Sequence, residues 1–427
     1  MSNLSDIYSR FLTCDSVSVD SRSIPSNSIF FALKGENFNG NEFAREALSK
    51  GAQYAIVDEK EHALDERFLL VENVLQTLQD LASLHRKNNR VKIIAITGSN
   101  GKTTTKELIH KVLQTKYNTL ATEKNYNNHI GVPLTLLQLD ENTDFAVVEM
   151  GANHVGEIRQ LCEMADPDFG IITNIGKAHL EGFGSYEGVI RAKSELYDHI
   201  CHKKGKVFFN QDNPLLFDLL KERECQTFSY GTDKDADIQA SLFESFPFLK
   251  TKVFDYLIES NLPGVYNFEN ILASIAVGSY FDVDMANISN AIKEYIPENN
   301  RSQIIQTKTN EIILDAYNAN PTSMKLALES FHEMSRDKKA LILGDMFELG
   351  KYSNTEHQKI VELLQQKSFE NVFLVGTEFC NTKQNEFTTF RDIQELIQHV
   401  QKAPLTHYSI LIKGSRGMTL EKITDYL

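Results

Sequence analysis

The stretch "IIAITGSNGKTTTKELI", residues 93–109, contains the residue types of a phosphate-binding loop. An apolar run leads into glycines, a Gly-Lys-Thr and then a helical pattern, and the N–H groups and dipole at a helix start favour negative charge. The spacing differs from the common G-x-x-x-x-G-K-[ST] loop, because Ile96 stands where the earlier glycine belongs. The stretch therefore predicts a shorter phosphate site, formed by Gly98, Ser99, Asn100, Gly101, Lys102, Thr103 and Thr104.

Two side chains at the helix start have distinct predicted roles. We expect Lys102 to reach the β- and γ-phosphates of a nucleotide and the Thr103 hydroxyl to bind Mg²⁺. The alternative is an ordinary glycine turn between a strand and a helix. The following residues favour a helix, because one apolar stripe recurs at helical spacing through Leu108, Ile109, Val112 and Leu113.

Composition limits the function classes. The chain has 427 residues, 41% of them hydrophobic and 24% charged, so we expect two or three ordered domains. A formal charge of −14 argues against a broad nucleic-acid or anionic-membrane surface. The five cysteines form no C-x-x-C pair, which predicts neither a disulfide framework nor a thiolate zinc site. The chain shows no secretory signal and no apolar run long enough for a spanning helix, so we expect a cytoplasmic protein.

Polar breaks divide the chain into three predicted domains. Residues 1–85 contain the strand-like runs "SIFFAL", "AQYAIV" and "FLLV", and "HRKNNR" at 85–90 predicts a connection. Residues 86–298 alternate apolar strands with helical stretches, which predicts a parallel sheet covered on both faces. A second break, "YIPENNRSQ" at 295–303, introduces residues 299–427, whose runs "EIILDAYN", "KALILGD", "NVFLVG" and "YSILIKGS" repeat the pattern. The predicted fold class is α/β: a small N-terminal α/β substrate domain, a central parallel-sheet P-loop ATPase-like domain and a C-terminal Rossmann-like, doubly wound domain.

Several stretches, in order along most of the chain, resemble the Mur ligase superfamily. They are "DSRSIPSNSIFFALKGENFNG" at 20–40, "TGSNGKTTTKE" at 97–107, "EMGANHVGEI" at 149–158, "TNIGKAHLEGFGS" at 173–185, "RAKSELY" at 191–197, "LPGVYNFENILAS" at 262–274, "AYNANPTSM" at 316–324, "GDMFELG" at 344–350 and "IKGSRGM" at 412–418. The resemblance implies an ATP-dependent enzyme that joins an amino acid or peptide to a carboxylate through an acyl phosphate. The combination of "YNANP" with "GDMFELG" implies the family member that adds D-alanyl-D-alanine to UDP-N-acetylmuramoyl-tripeptide.

The resemblance also implies cofactors and partners. ATP and Mg²⁺ are the expected cofactors, the two peptide compounds are the expected small-molecule partners, and neither nucleic acid nor membrane insertion is expected. The N-terminal domain would hold the UDP-muramoyl substrate, the central domain ATP and Mg²⁺, and the C-terminal domain the dipeptide, so hinge closure would bring them together. We expect a monomer. Because negative charge develops on oxygen, catalysis is expected from metal ions, lysines and positioning rather than from a protein nucleophile.

Four central residues correspond to catalytic positions of the family. Glu149, at the end of "FAVVEM", and His179 are expected Mg²⁺ ligands beside Thr103. The alternatives are a solvated carboxylate at a strand end and a structural or surface histidine. Lys193 corresponds to a lysine that is carbamylated in close relatives, which would create an anionic oxygen ligand; the alternative is a helix-surface lysine. With Lys102, these residues form the expected catalytic set.

Nucleotide contacts are implied first at Asn267 and Asn270, which lie three residues apart on a predicted helix. Their amides can read both the donor and the acceptor edges of adenine. The alternative is that Asn267 caps the helix after a Pro-Gly turn. Tyr266 stands where the family commonly has a histidine, and a tyrosine could still stack on the base.

Further contacts are implied around the second break. Arg301 resembles the family arginine that reaches ATP from the hinge. Asp315 and Asn318 lie at the end of the strand "IILD" and are expected to meet the nucleotide, although Leu314 replaces the first of two acidic residues that are frequent in the family.

Substrate contacts are implied in both terminal domains. In the N-terminal domain, Ser21, Arg22 and Lys34 resemble the region that holds the UDP-sugar, where the two cations suit a pyrophosphate. In the C-terminal domain, Lys413 and Arg416 are expected to hold a substrate carboxylate. The alternative for both pairs of basic residues is solvated surface charge.

Other functions are consistent with the same residues. The nearest is a different member of the superfamily, either the enzyme that adds the third peptide residue or a folate polyglutamylating ligase. The separate segment of about 85 residues before the loop disfavours the latter, and "YNANP" disfavours the former. A nucleotide-gated binding protein without turnover is an alternative from another class, disfavoured because Lys102, Glu149, His179 and Lys193 are all present.

Overall fold

The computed structural model describes residues 1–384 and 386–427 as a mixed α/β structure. The chain divides into two compact units. The first unit contains Met1–Ala95, Tyr117–Ala152 and Gly156–Gly170, and the second contains Ile96–Lys116, Asn153–Val155 and Ile171–Leu427. No helix in these described ranges is both long and apolar enough to cross a membrane.

The first unit is built from five helices and nine strands, of which the last residues of β7 pass into the second unit. The helices are α1 (Leu4–Phe11), α2 (Ala44–Ser49), α3 (Val74–Asn88), α5 (Gly131–Leu136) and α6 (Glu157–Ala165), with 3₁₀ turns at Gly40–Phe43 and Lys60–His62. The strands are β1 (Ser16–Ser18), β2 (Ser28–Phe31), β3 (Lys34–Gly35), β4 (Phe38–Asn39), β5 (Ala52–Val57), β6 (Phe68–Leu70), β7 (Lys92–Thr97), β8 (Thr119–Ala121) and β9 (Phe145–Glu149).

A four-stranded parallel sheet in the order β1-β2-β5-β6 forms the N-terminal part of the first unit. Its centre is apolar, with Ile29, Phe30 and Phe31 at most 2% exposed and Ala44 and Ala47 of α2 fully buried. The antiparallel pair β3–β4 carries Lys34. Strands β7, β9 and β8 are adjacent in that order. All residues of β9 are buried, as expected for a strand of a sheet covered on both faces.

The second unit contains the remaining elements, of which β10 begins at the boundary between the units. The helices are α4 (Lys102–Gln114), α7 (Leu180–Phe183), α8 (Tyr186–His202), α9 (Pro214–Lys221), α10 (Phe268–Tyr280), α11 (Met285–Glu294), α12 (Pro321–Glu333), α13 (Ser353–Gln366), α14 (Thr377–Cys380) and α15 (Ile393–Lys402). The strands are β10 (Phe169–Ile172), β11 (Lys206–Asn210), β12 (Gln226–Gly231), β13 (Ile238–Glu244), β14 (Lys250–Val253), β15 (Tyr256–Glu259), β16 (Gln303–Gln306), β17 (Glu311–Asp315), β18 (Lys339–Gly344), β19 (Asn371–Val375), β20 (Thr388–Phe390) and β21 (Ser409–Lys413). The 3₁₀ turns are Val265–Asn267, Gly350–Tyr352, Arg416–Met418 and Leu420–Tyr426.

Two sheets organise the second unit. In the first, the order is β10-β11-β12-β13-β14-β15, parallel from β11 to β13 and antiparallel from β13 to β15. Helix α4 packs against α10 and α11, and the predicted apolar stripe of α4 is fully buried. The second sheet has the order β16-β17-β21-β18-β19-β20 and is parallel except for β16. The α/β class and the doubly wound C-terminal sheet are therefore confirmed.

The predicted connection at "HRKNNR" is wrong, because its first four residues belong to α3, which ends at Asn88. His85 and Arg86 are buried, and the Arg86 guanidinium donates to Ala165 O at 2.9 Å and to Asp168 Oδ2 at 3.0 Å. A run of charged residues is typical of a linker, but here Arg86 anchors the helix inside the first unit. The domain boundaries 1–85, 86–298 and 299–427 stay predictions.

The cysteine pattern predicted no disulfide framework, yet one pair of cysteines is bonded. Cys201, at the end of α8, is bonded to Cys225, which precedes β12, with a Cα–Cα distance of 4.7 Å. The two residues are 24 positions apart, so their proximity arises from the path of the chain through β11 and α9 and not from a local spacing motif.

Candidate active site

The predicted phosphate loop joins β7 to α4 and depends on two glycines. Gly98 and Gly101 have φ angles of 146° and 79°, which residues with side chains rarely adopt. A Cβ at Gly98 would lie 2.0 Å from Thr173 Oγ1, and a Cβ at Gly101 would lie 2.4 Å from Asn270 Oδ1. Gly101 is the N-cap of α4 and supplies no side-chain cap. The loop therefore presents backbone N–H groups at a helix start, where an anion is favoured.

The loop is anchored from both sides by long-range hydrogen bonds. Ser99 Oγ donates to Gly176 O at 3.0 Å and accepts from Gly176 N at 2.9 Å. Asn100 N donates to Asn174 Oδ1 at 3.0 Å, and Asn100 Oδ1 accepts from Asn320 Nδ2 at 2.7 Å. These contacts hold the loop in one shape, which is what a binding site for a polyanion requires.

Donors converge on this loop. Asn100 Nδ2 is buried and has no hydrogen-bond partner among the described residues, an arrangement that costs free energy unless an acceptor is supplied. Lys102 Nζ donates to Gly98 O at 2.7 Å, so the ammonium lies against the loop itself. Thr103 is buried at the first turn of α4. A phosphate oxygen fits the chemistry of these donors.

Asn267 and Asn270 are buried and hydrogen-bonded to each other. Asn267 Nδ2 donates to Pro263 O at 2.8 Å and Ser302 Oγ at 3.2 Å, and Asn267 Oδ1 accepts from Asn270 Nδ2 at 2.9 Å. Asn270 Oδ1 accepts from Thr105 Oγ1 at 3.0 Å, which ties α10 to α4. Asn267 occupies the N-cap position of α10, as the alternative predicted, but its side chain makes no cap bond. Their contact with adenine stays a prediction, and both N–H groups of Asn267 already have protein acceptors.

Glu149 ends β9 in the first unit and is 1% exposed. Its Oε1 accepts from Asn127 Nδ2 at 2.7 Å, and its backbone N donates to Thr122 Oγ1 at 3.0 Å. A Cβ at Gly151 would lie 2.9 Å from Asn127 Oδ1, so glycine there leaves room for the amide. The alternative of a solvated carboxylate is wrong. A carboxylate at the end of a strand is an oxygen donor of the kind that Mg²⁺ binds.

His179 lies in the second unit, directly before α7, with a left-handed φ of 52°. Its Nδ1 lies 2.5 Å from Glu348 Oε2. The close contact with His179 lowers the pKa of the Glu348 carboxyl, but His179 Nδ1 is buried and makes no hydrogen bond of acceptable geometry with the described residues. Lys193, on α8, is 2% exposed, and its Nζ lies 5.6 Å from the centre of the Phe183 ring. The alternative of a helix-surface lysine is therefore wrong.

Two guanidinium groups flank one ring beside the second predicted break. The Arg301 guanidinium carbon lies 3.6 Å from the centre of the Tyr317 ring, and that of Arg416 lies 5.3 Å from it. Such contacts restrict both side chains without neutralising them. Tyr317, which the sequence did not identify, therefore orients two cations that were predicted separately to meet ATP and a substrate carboxylate.

Asp315 and Lys413, at the ends of the paired strands β17 and β21, form an ion pair. Asp315 Oδ2 lies 2.5 Å from Lys413 Nζ, and both side chains are largely buried. The alternative of a solvated basic pair is wrong for Lys413, although its role toward a substrate carboxylate stays a prediction. Asn318 is exposed, and its Oδ1 accepts from Ala319 N at 2.9 Å.

The residues expected to hold the UDP-sugar lie at the surface of the first unit. Arg22 pairs with Asp20 at 2.8 Å, and the hydrogen bond from Arg22 lowers the pKa of Asp20 to about 2. Lys34 Nζ lies 2.8 Å from Asp58 Oδ1 and 3.0 Å from Glu59 Oε1. The backbone carbonyl of Ser21 accepts from Lys50 Nζ at 2.8 Å. A pyrophosphate would compete with these carboxylates for the two cations.

The donor chemistry fits Mg²⁺ in part. The Thr103 hydroxyl and the Glu149 carboxylate are the oxygen donors that Mg²⁺ prefers. The imidazole of His179 is an unusual ligand for it, and the Lys193 amine can serve only after carbamylation. In residues 1–384 and 386–427, no group of three or more His, Cys, Asp or Glu side chains is arranged to hold a metal ion.

Sequence reasoning missed the residues that position these groups. They are Asn127, Asn174, Asn320, Tyr317 and Glu348. Asn320 and Tyr317 lie in "AYNANPTSM" and Glu348 in "GDMFELG". The sequence therefore identified these stretches but not the residues within them that make the contacts.

Three family models match the chain in sequence order. The Mur ligase family catalytic domain matches residues 13–86, the Mur ligase middle domain matches residues 96–278, and the Mur ligase glutamate ligase domain matches residues 300–416.

Curated relatives match the chain over nearly its full length. UDP-N-acetylmuramoyl-tripeptide–D-alanyl-D-alanine ligase of Bacillus subtilis is 35% identical, with 96% of this chain and 92% of the relative covered. The enzyme of the same name from Escherichia coli is 33% identical, with 100% of this chain and 98% of the relative covered.

Solved structures give the same result. A crystal structure of MurF from Acinetobacter baumannii has a TM-score of 0.86 and 31% identity, with 96% of this chain and 92% of that chain covered. MurF ligase from Thermotoga maritima, in complex with ADP, has a TM-score of 0.84 and 27% identity, with 97% of both chains covered.

Proposed function

Because the chain belongs to the Mur ligase family, we propose that it joins D-alanyl-D-alanine to UDP-N-acetylmuramoyl-tripeptide with ATP, in the synthesis of peptidoglycan precursors. One observation carries this reaction: relatives named for it match 96–100% of the chain at 33–35% identity. The substrate carboxylate attacks the γ-phosphate of ATP, and the dipeptide amine then displaces phosphate from the acyl phosphate to form the amide.

The loop geometry supports the nucleotide part of the proposal. The N–H groups at the start of α4, the buried Asn100 amide and the Lys102 ammonium are donors for phosphate oxygens. Asn174 and Asn320 hold the loop through their hydrogen bonds with Asn100. Negative charge that develops during phosphoryl transfer therefore meets donors that need no reorganisation.

Each further residue has a role that follows from its environment. Arg301, held on Tyr317, and Arg416 are cations for phosphate and carboxylate groups. Asp315 holds Lys413 at the end of the C-terminal sheet, and Asn267 with Asn270 braces α10 against α4 beside the loop.

We propose that oxygen atoms of Thr103 and Glu149 bind Mg²⁺, with His179 and carbamylated Lys193 as the remaining candidate ligands. When bound, the cation neutralises charge on the phosphate oxygens. The protein's part is to keep Glu149 buried and oriented through Asn127 and Thr103 at the first turn of α4.

The proposal extends to organisation and location. The predicted N-terminal domain holds the UDP-muramoyl substrate through Ser21, Arg22 and Lys34, the central domain holds ATP, and the C-terminal domain holds the dipeptide. The enzyme acts as a monomer in the cytoplasm, where its nucleotide-linked substrates are made.

The test is phosphate release from ATP by purified protein with Mg²⁺ and UDP-N-acetylmuramoyl-tripeptide, with and without D-alanyl-D-alanine. Tripeptides that end in lysine and in meso-diaminopimelate are both supplied, and Lys102→Ala is the inactive control. We expect release that depends on the dipeptide and a pentapeptide product by mass. ATP binding without turnover on these or other family substrates would favour the nucleotide-gated binding protein.

A further inference from the structure

The side-chain amide of Asn100 in the phosphate loop has one paired end and one unpaired end. Its Oδ1 accepts from Asn320 Nδ2 at 2.7 Å, whereas its Nδ2 is buried without a hydrogen-bond partner among the described residues. The backbone of Asn100 is also fixed, because its N donates to Asn174 Oδ1 at 3.0 Å and its O accepts from Thr173 Oγ1 at 2.6 Å. A rigidly held residue therefore keeps one donor for an acceptor that the described residues do not supply.

The start of α12 decides which end of the Asn100 amide is paired. Asn320 is the N-cap of α12, and its Oδ1 accepts from Ser323 N at 2.9 Å in a capping box. Because a backbone N–H can only donate, Oδ1 of Asn320 must face Ser323 and its Nδ2 must face Asn100. That Nδ2 is also only a donor, so the Asn100 atom that meets it must be Oδ1. The orientation of both amides thus follows from one backbone N–H group.

The first turn of α12 is itself fixed on the segment that holds the phosphate loop. Lys177 N donates to Thr322 Oγ1 at 3.0 Å, and a Cβ at Gly176 would lie 2.7 Å from the same oxygen. Gly176 in turn exchanges two hydrogen bonds with Ser99 Oγ. The phosphate loop, the segment after β10 and the first turn of α12 thus form a closed ring of contacts, which holds the cap residue beside the loop.

We infer that Asn320 is a positioning residue, which fixes the Asn100 amide so that Nδ2, rather than Oδ1, is presented to a phosphate oxygen of the bound nucleotide. An amide that could turn over would also present its oxygen, and an oxygen acceptor cannot pair with a phosphate oxygen. A hydrogen bond to a charged phosphate is stronger than one between neutral groups. The inference rests on the proposed function, because it takes the loop as the site of the nucleotide phosphates.

A simpler interpretation is that Asn320 only ties the phosphate loop to α12. The two interpretations differ in what they predict for Asn320→Asp. An aspartate keeps the cap of α12, and it can still hold Asn100 once that amide turns over and donates Nδ2 to the new carboxylate. The tie between the loop and the helix is then kept, whereas the donor for the phosphate is lost.

The experiment is a double-mutant cycle on ADP affinity, measured by isothermal titration calorimetry at a constant Mg²⁺ concentration. The four proteins are the wild type, Asn100→Ala, Asn320→Asp and the double variant. The added negative charge weakens ADP binding in both backgrounds, so the cycle cancels this effect. Aspartate is as good an N-cap as asparagine, so the variant should fold, and urea unfolding checks this.

Ser323→Ala is the matched control for the start of α12. It removes the Ser323 hydroxyl, which accepts from Asn320 N at 3.1 Å, and leaves the bond between Asn320 and Asn100 in place. A loss of helix stability alone therefore appears in this variant without a change in the Asn100 amide.

We expect Asn100→Ala to lower ADP affinity about 10-fold, as loss of one hydrogen bond to a charged group does, and Asn320→Asp to lower it further. In the Asn100→Ala background, the effect of Asn320→Asp should be about 10-fold smaller, because the donor is already absent. Ser323→Ala should keep the wild-type affinity. Equal fold-changes for Asn320→Asp in the two backgrounds would overturn the inference and leave the proposed function intact. A wild type that fails to bind ADP would overturn the nucleotide part of the proposed function, and the inference with it.

Discussion

At the scale of single residues, the burial of Lys193 distinguishes between two interpretations of this lysine, one at the helix surface and one in the site. A lysine on a helix is usually at the surface, but this side chain is 2% exposed and lies against Phe183. A carbamylated Lys193 supplies an anionic oxygen ligand, which an alanine side chain at this position lacks. We expect Lys193→Ala to lower kcat on the order of 100-fold, as loss of one charge-stabilising group does, and acetate or formate to restore part of the rate.

The control for this prediction is Lys221→Ala, because Lys221 is exposed on α9. Its rate should equal that of the wild type and should not respond to acetate. Full activity of Lys193→Ala without added carboxylate would contradict the carbamate assignment, and the measurement is steady-state phosphate release over a range of acetate concentrations.

At the scale of elements, the phosphate loop depends on the φ of Gly101 and on the space beside it. Gly101→Ala would force a side chain into a left-handed position and bring Cβ to 2.4 Å from Asn270 Oδ1. We expect kcat/KM for ATP to fall at least about 10-fold, equivalent to about 1.4 kcal/mol. Steady-state kinetics at varied ATP measures it.

Gly156→Ala is the matched control for the loop. Gly156 is also a helix N-cap with positive φ, 97°, but nothing lies within 4 Å of a Cβ built there. This variant should lose about 1 kcal/mol of stability from backbone strain alone and keep its KM for ATP. Equal ATP kinetics in both alanine variants would show that the clash with Asn270 does not matter.

The same scale shows what the sequence could and could not predict. Buried strands such as β7 and β9 were predicted because continuous apolar runs are a local signal. The antiparallel hairpin β14–β15 was not, because its turn contains Phe254 at a φ of 51° where Asn-Gly is the usual signal. In the site, the glycines of the loop were predicted from a local motif. Asn174 and Asn320 contact Asn100 from 74 and 220 positions away, so no local pattern could identify them.

At the scale of the whole molecule, the pH dependence of the free energy of unfolding tests the burial of His110. His110 lies on α4, and burial, with smaller effects of Lys106 and Lys111, lowers its pKa to about 4 from the usual 6.5. Between these values the unfolded chain binds a proton that the folded chain does not, so the free energy of unfolding falls as pH falls from about 6.5 to 4. Buried His85 acts in the same direction.

Replacement of His110 by glutamine should therefore flatten part of this pH dependence. The full shift corresponds to about 3 kcal/mol, and because His110 is only partly buried we expect about 1 kcal/mol less loss between pH 7 and pH 5 in His110→Gln than in the wild type. Urea unfolding at the two pH values measures the difference. His202→Gln, at the exposed end of α8, should keep the wild-type slope. If His110→Gln keeps it too, the proton taken up on unfolding belongs to His85 or to another group, and α4 is not the acid-sensitive element of the second unit.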